Sequence, residues 1–541
     1  MHMTQEISIH KALTATLFIG MATAMATADQ APISIDGVFE DWVDITPITD
    51  PTGDAGGGAI DFTSLSMADD AMFFFIRIDA TADFDMSENN ALRIYLDTDA
   101  NASTGLAIGG IGAELEWRAG EMAGTFYHEG VQTDVYFTEL RLRGAPTVTS
   151  STFEIAFGRD TYPNGTNPLF TGQDVRVLIT DSTSGDMMPN AGTTSTYTFD
   201  IGSTPPVVDR PFGRLDSDHL RIITHNVLND RPFNGSHQAK FGRIYTAVSP
   251  DILHLQEIYD HTPTETRNLI ASWLGGTWYT AGNNDCITVS RYPISGSWAI
   301  DGNLAVLIDT TASIGTPMLC INAHMPCCDN DDGRQWESDA VVAFVRDAYL
   351  PGGTLTLNVD VPVLICGDLN MVGLAQQVET LVTGDIVHND WYGDDASPDP
   401  DGTDLHNTIS RLTQRRMGYT WRNDGGWYWP GHLDFMIYSD SNLSRRHDFI
   451  VCTPEMSPAA LSQNGLFASD SNASDHLVFC VDFARPCAAD IDGDDTVDVD
   501  DLIAIIADWG ACNGCNADLN NDGDVDTDDL LIVLAAWGSC G

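Results

Sequence analysis

Short apolar strands that each end in a polar, reactive side chain recur through the middle of the sequence. Segment 220–226 alternates apolar and polar residues, as a half-buried strand does, and ends in Asn226. Segment 250–257 ends in the same way in Glu257. Further strand-like segments end in His324, in Asp368 and Asn370, in Asp434, and in Asp475 and His476. If these strand ends meet at one edge, they form a pocket that combines carboxylates for a hard cation with imidazoles for proton transfer.

Cleavage of a phosphate ester requires this combination of groups. Carboxylates such as Glu257 and Asp475 can hold Mg²⁺ or Mn²⁺ against a phosphate oxygen, while one group activates water and another protonates the leaving oxygen. A single Asp or His after a strand is usually structural. Because a candidate for every role occurs in this one segment, an enzyme is favoured over a silent binding or scaffold protein.

The motifs also occur in a distinctive order along the chain. They are Thr-His-Asn at 224–226, Leu-Gln-Glu at 255–257, Ser-Arg-Tyr-Pro-Ile at 290–294, Asn-Ala-His at 322–324, Gly-Asp-Leu-Asn at 367–370, Leu-Asp-Phe at 433–435 and Ser-Asp-His at 474–476. This order resembles the endonuclease/exonuclease/phosphatase superfamily, which includes DNase I-like nucleases, secreted sphingomyelinases and inositol-polyphosphate phosphatases. The resemblance covers 220–482. It implies an α/β fold of four layers, in which two packed mixed sheets lie between helices.

The resemblance implies a metal centre in this pocket. In the family pattern Glu257 is the principal ligand, and Asn226 and Asp475 complete or support a site for Mg²⁺ or Mn²⁺. Some members have a carboxylate partner for the imidazole at the His324 position. Asp285 is the candidate for that partner in this sequence.

The resemblance also implies roles in proton transfer. Asp368 orients or deprotonates the attacking water, and Asn370 donates to the charge that develops on the phosphorane. His324 and His476 flank the scissile phosphate. Asp434 holds one imidazole, that of His476, in its productive tautomer and favours its charged form.

The motifs leave the substrate open. Hydrolysis of a phosphodiester, in a nucleic acid or a phospholipid head group, is favoured, and the alternative within enzymes is a phosphomonoesterase acting on a soluble phosphate. The net charge of −53 argues against a dedicated nucleic-acid binder, because it repels polyanions. Arg411, Arg415 and Arg416 can grip a second phosphate or pack on a helix beside their Asp neighbours. The aromatic run 427–429 can form a lipid-facing or base-stacking wall, or pack inside the protein.

Composition divides the 541 residues into several domains. Residues 1–28 hold an apolar stretch that ends in small residues, which predicts a signal peptide and a secreted or cell-surface protein without a transmembrane segment. Residues 29–203 predict an all-β sandwich, which resembles secreted carbohydrate-binding and DOMON-like modules through the motifs at 35–42 and 95–99 and has a glycan as its possible partner. Residues 204–214 form a Pro-bearing linker, 215–485 the α/β catalytic domain and 486–541 a small helical domain.

Two features of the predicted sandwich have both a functional and a structural interpretation. Asp97, Asp99 and Asn101 alternate and can surround Ca²⁺, but a turn that these side chains cap themselves is favoured. Trp42 or Trp117 can stack on a sugar, although packing in the core is the commoner role of such residues.

An Asp-rich loop occurs twice near the C-terminus, each time before an apolar helix that ends in Trp-Gly. The oxygen-bearing side chains have the spacing of a calcium-coordinating loop, so we expect about two Ca²⁺ ions. The predicted ligands are Asp490, Asp492, Asp494, Thr496, Asp498 and Asp501 in the first loop, and Asp518, Asn520, Asp522, Asp524, Asp526 and Asp529 in the second. The pair resembles a type I dockerin, which implies a cohesin-like or cell-surface partner. A calcium-folded module that stabilises the protein or attaches it to a surface has the same sequence pattern. Asp495 departs from the usual Gly of such a loop, which weakens the first site.

The cysteines are expected to form disulfides, since the chain is predicted to be exported. In the C-terminal repeats we predict the pairs Cys487–Cys512 and Cys515–Cys540, one in each repeat. In the catalytic domain, Cys327 and Cys328 predict an active-site loop pinned by a disulfide, and Cys366 is expected to be a buried free thiol.

Overall fold

A computed structural model describes residues 32–57, 60–88, 90–190, 192–200, 205–492, 496–512, 515–520 and 522–539. The predicted signal peptide, 1–28, lies outside these residues. Within them, every helix is too short or too polar to span a membrane.

The N-terminal unit, 32–200, consists of two large antiparallel sheets and a small one formed by the hairpin 106–113. Its strands are β1 (Ile48–Thr49), β2 (Phe62–Asp69), β3 (Phe73–Phe84), β4 (Leu92–Asp97), β5 (Leu106–Ile108), β6 (Ile111–Ala113), β7 (Leu115–Arg118), β8 (Ala123–His128), β9 (Val131–Val135), β10 (Arg143–Ala145), β11 (Ser150–Gly158), β12 (Asp174–Asp181), β13 (Met187–Met188) and β14 (Ser195–Thr198), with helix α1 (Phe137–Leu140) between β9 and β10. One sheet has the order β1-β2-β3-β11-β10, and the other has the order β13-β12-β4-β7-β8-β9, with β14 also on β12.

Strand β3 buries both of its faces, which positions the N-terminal unit in the molecule. Phe74, Ile76 and Ile78 pack into the core between the two N-terminal sheets. Phe73 and Phe75, on the opposite face because side chains alternate along a strand, pack into a core shared with the rest of the chain. The N-terminal unit is therefore attached through an apolar interface.

The central unit, 205–484, contains two six-stranded mixed sheets. Its strands are β15 (Leu220–Asn226), β16 (Ile252–Gln256), β17 (Tyr279–Asn283), β18 (Cys286–Ser290), β19 (Ile294–Ile300), β20 (Asn303–Ile308), β21 (Met318–His324), β22 (Val363–Asp368), β23 (His406–Asn407), β24 (Asp434–Tyr438), β25 (Ser444–Val451) and β26 (Val478–Ala484). Its helices are α2 (Gln238–Val248), α3 (Pro263–Leu274), α4 (Thr311–Ile314), α5 (Asp331–Tyr349), α6 (Gln376–Thr383), α7 (Asn389–Tyr392) and α8 (Pro458–Gln463). The sheets have the orders β17-β18-β16-β15-β26-β25 and β19-β20-β21-β22-β24-β23.

The central unit has four layers, as the sequence analysis expected. Ile222 of one sheet and Leu364 of the other share the apolar core between the sheets. Helix α2 packs on the outer face of the first sheet, and α5 packs on the outer face of the second. Helix α3 begins at a capping box formed by Thr262 and Glu265, with Pro263 in its first turn, so its start is encoded locally.

The register of the strands brings the predicted catalytic residues to one edge. Strands β15 and β16 are parallel, and so are β21 and β22, so each pair ends at the same side. His324 lies opposite Asp368 across β21 and β22, and Asp368 lies opposite Asp434 across β22 and β24. Three reactive side chains from three adjacent strands therefore occupy one row.

The predicted linker, 204–214, lies along the central unit in its described part, 205–214. Arg416 donates to the carbonyl oxygen of Pro205 at 2.7 Å, and Phe212 is buried in the core beneath α2. Direct backbone bonds join the units as well, since the amide of Gly418 donates to the Ile35 oxygen at 2.7 Å. The two units therefore form one packed body in this structure.

The C-terminal unit, 485–539, is built from two similar halves. Its elements are β27 (Thr496–Val497), α9 (Val499–Ala507), β28 (Gly510–Ala511), β29 (Asp524–Val525), α10 (Thr527–Ala535) and β30 (Gly538–Ser539), and β27 pairs with β30 while β28 pairs with β29. Both helices begin with an Asp capping box, formed by Asp498 with Asp501 and by Asp526 with Asp529. Asp494, a predicted Ca²⁺ ligand, lies outside the described residues.

The predicted disulfide pairs of the C-terminal repeats are wrong. Cys512 is bonded to Cys515, whose Cα atom lies 6.0 Å away across the junction of the two halves. This pairing excludes both Cys487–Cys512 and Cys515–Cys540, because each cysteine forms only one disulfide. Only two residues separate the two cysteines, and their Cα distance lies within the range that a disulfide spans.

The loop that contains Cys327 and Cys328 is not pinned by a disulfide, contrary to expectation. Both thiols are free and exposed. The other free cysteines of the central unit, Cys286, Cys320, Cys366, Cys452 and Cys480, are buried in the strands and sheet ends and cannot reach this loop. Cys366 is a buried free thiol, as predicted.

Replacing Trp429 should weaken the attachment of the two large units. Trp429 belongs to the central unit but is 6% exposed in the N-terminal core, where its ring lies beside Trp117. We expect Trp429→Ala to lower the free energy of unfolding in urea by about 3 kcal/mol, because it leaves a large cavity. Trp427→Ala is the matched control, since Trp427 is 62% exposed and its loss should cost under about 1 kcal/mol. Equal effects of the two changes would contradict this role of Trp429.

Candidate active site at the edge of the central sheets

The predicted catalytic residues surround one open cleft with a volume of about 1000 Å³. Those that line it are Glu257, His324, Asp368, Asn370, Asp475 and His476. Asn226 and Asp434 are completely buried and lie behind this lining. The structure therefore brings all eight predicted residues into one region, six at its surface and two beneath it.

Asp368 is the shared centre of the site. Its Oδ2 atom accepts a hydrogen bond of 2.9 Å from the Asn226 side chain. The same oxygen lies 3.6 Å from Nε2 of His324 and 3.4 Å from Nε2 of His476. Since Asp368 is almost fully buried, its charge is compensated by these neighbours and not by water.

Asn226 connects a carboxylate of the first sheet, Glu257, with a carboxylate of the second sheet, Asp368. Its amide group donates to Glu257 Oε1 at 3.0 Å and to Asp368 Oδ2 at 2.9 Å. Its own oxygen accepts from the Leu228 amide. The other Glu257 oxygen accepts from the Asn229 amide at 2.8 Å, so the carboxylate is oriented from both sides.

His324 is held by Asp285, the partner suggested in the sequence analysis. The Asp285 Oδ2 atom lies 2.6 Å from His324 Nδ1 and also accepts from the Glu257 amide at 3.0 Å. Burial lowers the pKa of His324, but the bond to Asp285 and the charge of Asp368 outweigh it and raise the pKa to about 9. The imidazole of His324 is therefore charged at neutral pH.

His476 has a matching carboxylate on the other side of Asp368. Its Nδ1 atom lies 2.8 Å from Asp434 Oδ2, and the Asp434 amide is fixed by the Thr420 hydroxyl at 2.8 Å. Burial lowers the pKa of His476, but the charges of Asp434 and Asp368 prevail and raise it to about 10. The site thus contains two imidazolium groups that face one carboxylate.

Backbone geometry after β22 positions Asn370. Gly367 has a φ of 139°, and a Cβ atom there would lie 1.9 Å from the Ala323 oxygen, so only glycine fits between the two strands. Asn370 itself has a φ of 51°, and its amide donates to Asp368 Oδ1 at 3.1 Å. Its side-chain NH₂ donates to the Met325 oxygen, which turns the Asn370 side chain toward the loop after His324.

Asp475 has one free oxygen at the cleft. Its Oδ2 atom accepts from the Trp421 indole at 3.3 Å. Its Oδ1 atom is buried and has no hydrogen-bond partner among the described residues. A buried carboxylate oxygen without a partner is costly, which makes this atom a candidate ligand for a cation.

The basic and aromatic candidates from the sequence lie elsewhere. Arg411 and Arg416 donate to carbonyl oxygens at 205–208, and Arg415 pairs with Glu455. These arginines are structural and do not line the cleft, so the idea that they grip a second phosphate is wrong. In the run 427–429, Tyr428 and Trp429 both line the cleft, and Trp429 is also packed in the N-terminal core. The run therefore shows both the wall and the packing that the sequence suggested.

The two tryptophans considered as sugar-stacking residues are buried. Trp42 and Trp117 are 2% and 0% exposed, so neither ring can stack on a ligand. Asp97 and Asp99 accept from the Asn101 amide at 3.0 and 2.9 Å, which is the self-capped turn favoured by the sequence.

Acidic clusters also occur outside the cleft. Asp97 and Asp99 lie with Glu114 in one such cluster, in which the possible ligand atoms are within 4.8 Å of one another. Asp490, Asp492 and Asp501 have the same close spacing in the first C-terminal loop. Asp501 and Asp529 are completely buried, and each accepts from backbone amides of its own loop.

Several cleft residues were missed in the sequence analysis. Tyr259 follows Glu257 by two positions, so it was within reach of the motifs. Met86, Glu88 and Met122 come from the N-terminal unit, and no local pattern indicated that they would line this cleft. Their positions depend on how the two units dock.

Among known proteins, the chain matches solved structures only. Neither the protein-family models nor the curated proteins contain a match. Aligned structures include D. rerio TDP2 complexed with a single-strand DNA product, 15% identical over 50% of this chain and 99% of that chain, with a TM-score of 0.33. ANGEL2, titled a 2',3'-cyclic phosphatase, is 16% identical over 50% of this chain and 99% of that chain, with a TM-score of 0.34.

An endonuclease/exonuclease/phosphatase family protein from Leptotrichia buccalis also aligns. It is 13% identical over 49% of this chain and 99% of that chain, with a TM-score of 0.32. These solved structures span about half of the present chain.

Replacing Asp285 by Asn should lower the pKa of His324. The change keeps the shape of the side chain but removes the charge that opposes burial, so the pKa should fall from about 9 toward or below its ordinary value near 6.5. Histidine NMR titration of the purified protein measures this shift. The signal of His476, which does not contact Asp285, is the internal control. An unchanged His324 titration would show that Asp285 does not set its charge.

Proposed function

We propose that this protein is a secreted, divalent-metal-dependent phosphoesterase that hydrolyses a phosphodiester by in-line attack of water. The observation that carries the proposal is the arrangement of His324 and His476 on either side of the Asp368 carboxylate, each backed by its own carboxylate. A phosphate needs charged donors on its oxygens and a base for water, and this row supplies both. Secretion follows from the predicted signal peptide, 1–28.

Glu257 and Asp475 are the proposed metal ligands. Asp368, Asp434 and His476 also have closely spaced possible ligand atoms, but both imidazole nitrogens of His476 already face carboxylates, Nδ1 at 2.8 Å from Asp434 and Nε2 at 3.4 Å from Asp368. The Asp475 Oδ1 atom, buried without a partner among the described residues, and the oriented Glu257 carboxylate fit an oxygen-preferring ion. Mg²⁺ or Mn²⁺ bound there would withdraw charge from a phosphate oxygen. The Asn226 side chain donates hydrogen bonds to Glu257 and Asp368. Direct coordination of the metal by Asn226 therefore stays a prediction.

The protein's own groups perform the remaining steps. Asp368, held by Asn226, orients the attacking water and accepts its proton. The two imidazolium groups donate hydrogen bonds to the phosphate, and one of them delivers a proton to the leaving oxygen. Asn370 retains one amide hydrogen for the developing charge after its bond to the Met325 oxygen. The cleft of about 1000 Å³ has room for both arms of a diester.

Hydrolysis of bis(p-nitrophenyl) phosphate tests the proposed chemistry. We expect turnover that requires Mg²⁺ or Mn²⁺ and that falls by about 10²–10⁴-fold in His476→Ala, because a proton donor is lost. Glu257→Gln should weaken Mn²⁺ binding, measured by calorimetry independently of turnover. His128→Ala, in an N-terminal hairpin outside the cleft, is the control and should retain full activity.

Three other outcomes of the hydrolysis experiment would contradict the proposal, each in a different way. Equal activity of His476→Ala and the unchanged protein would refute the proposed site. Cleavage of p-nitrophenyl phosphate in preference to the diester would replace the proposal by a phosphomonoesterase. A folded protein without turnover of either ester would favour a binding or scaffold role.

We further propose that the C-terminal unit binds Ca²⁺ and attaches the enzyme to a cohesin-like or cell-surface partner. The proposal is supported by the close spacing of Asp490, Asp492 and Asp501 together with the repeated loop sequence. Calorimetry of the full chain should find about two Ca²⁺ ions that bind independently of the cleft. Asp518→Ala should remove one of them, whereas Asp508→Ala, at the exposed end of α9, should remove none. Absence of Ca²⁺ binding would disprove this assignment.

A further inference from the structure

The cleft is completed by the N-terminal unit, a contribution that the motifs of the central unit do not reveal. Residues 85–88, Met122, Pro146 and Thr147 line the same cavity as His324 and Asp368. The side opposite the catalytic row is therefore formed by a different part of the chain.

Specific bonds hold this wall in place. The Tyr428 hydroxyl donates to Glu88 Oε1 at 2.8 Å across the mouth of the cleft. The Thr147 hydroxyl donates to the Met371 oxygen at 2.7 Å, and the Thr149 amide donates to the Gly373 oxygen at 2.8 Å. These contacts fix the wall directly beside the loop that follows Asn370.

The cleft is strongly acidic beyond its catalytic groups. Eight of its described lining side chains are carboxylates, and four of these, Asp85, Glu88, Asp329 and Asp331, belong to its outer part. Arg334 is the one Lys or Arg among the described lining residues, and it is completely buried. Its guanidinium is used by Asp331 and by neighbouring carbonyl oxygens. Beyond the scissile phosphate, which faces His324, His476 and the proposed metal, an extended polyanion would therefore meet carboxylates without a free Lys or Arg among the described lining residues.

The same outer part offers apolar and aromatic surface. Tyr259 and Tyr428 of the central unit are 56% and 46% exposed beside the cleft, whereas Met86 and Met122 of the N-terminal unit line it from within the N-terminal core. Aromatic faces and carboxylates attract a cation that is brought near them. The wall is therefore suited to an arm that is cationic or uncharged, and it is unsuited to an arm that carries further phosphates.

We infer that the N-terminal unit forms the wall of the active site that sets its specificity. Its carboxylate Glu88, together with Asp329 of the central unit, selects among phosphodiesters by the charge of the arm beyond the scissile phosphate. A cationic arm is preferred over a neutral one, and a neutral arm over an anionic one. This inference rests on the proposed phosphodiesterase function. Glu88 and Asp329 act on the arm of the substrate and are positioning residues, since they take no part in bond cleavage.

Three substrates with the same p-nitrophenolate leaving group test the inference. They are p-nitrophenyl phosphorylcholine, bis(p-nitrophenyl) phosphate and thymidine 3'-phosphate 5'-(p-nitrophenyl phosphate), which have a cationic, a neutral and an anionic arm. We expect kcat/KM to decrease in that order, with the difference mainly in KM. The ratio of the cationic to the anionic substrate should fall about 2- to 3-fold in Glu88→Gln and about 5-fold in Glu88→Gln/Asp329→Asn at low ionic strength. High salt should reduce the ratio in the unchanged protein.

Glu129→Gln is the matched control for this experiment. It removes the same charge from an exposed turn of the N-terminal unit that does not line the cleft, so it should leave the ratio unchanged. Glutamine at position 88 can still accept the Tyr428 bond, so the wall should remain in place. Hydrolysis of all three esters with a ratio that Glu88→Gln and the double variant do not alter would overturn the inference and leave the phosphodiesterase intact. Hydrolysis of none of them would overturn both.

Discussion

One buried carboxylate, that of Asp368, organises the active site. It lies between two imidazoles, accepts from Asn226 and fixes the backbone amide of Asn370. A buried charge is stable only when it is compensated, and here two imidazoles and the Asn226 amide face the Asp368 carboxylate. The pKa of His324 is raised by Asp285 and by Asp368, and that of His476 by Asp434 and by Asp368, so each imidazole lies between its own carboxylate and the shared one. The surrounding carboxylates, Asp285 and Asp434, extend this alternation of charge outward.

The fold places this centre with little freedom. Asp368 and its neighbours in the row, His324 and Asp434, are on adjacent strands in direct register, so their spacing is set by the hydrogen bonds of the sheet. Glycine at 367 lets strands β21 and β22 approach closely at this point. The reactive groups sit on rigid strand ends, whereas the outer part of the cleft is formed by loops and by the docked N-terminal unit. Chemistry and substrate selection are therefore carried by different parts of the structure.

Much of the centre was accessible from the sequence, because its signals are local. An apolar strand with a polar end is visible in a few residues, and the order of such strands pointed to Asn226, Glu257, His324, Asp368 and Asp434 together. The pairing of Asp285 with His324 was suggested by the resemblance and is present in the structure. The prediction for Arg411, Arg415 and Arg416 was wrong because a cluster of basic residues in the sequence does not indicate which carbonyl oxygens or carboxylates the side chains will bind. The N-terminal side of the cleft escaped prediction because it depends on contacts between segments distant in the chain. The disulfides were mispredicted because the repeat spacing of the cysteines was given more weight than the short separation of Cys512 and Cys515.

The two faces of strand β3 have a consequence for how this chain can be recombined over evolution. Phe73 and Phe75 share a core with the central sheets, and Trp429 returns the contact by entering the N-terminal core. Exchange of the N-terminal unit for another β-module would expose both surfaces and remove one side of the cleft. The described residues of the C-terminal unit form a separate small core of their own. Loss or exchange of the C-terminal unit would therefore leave the other cores intact, whereas the first two units depend on each other for packing.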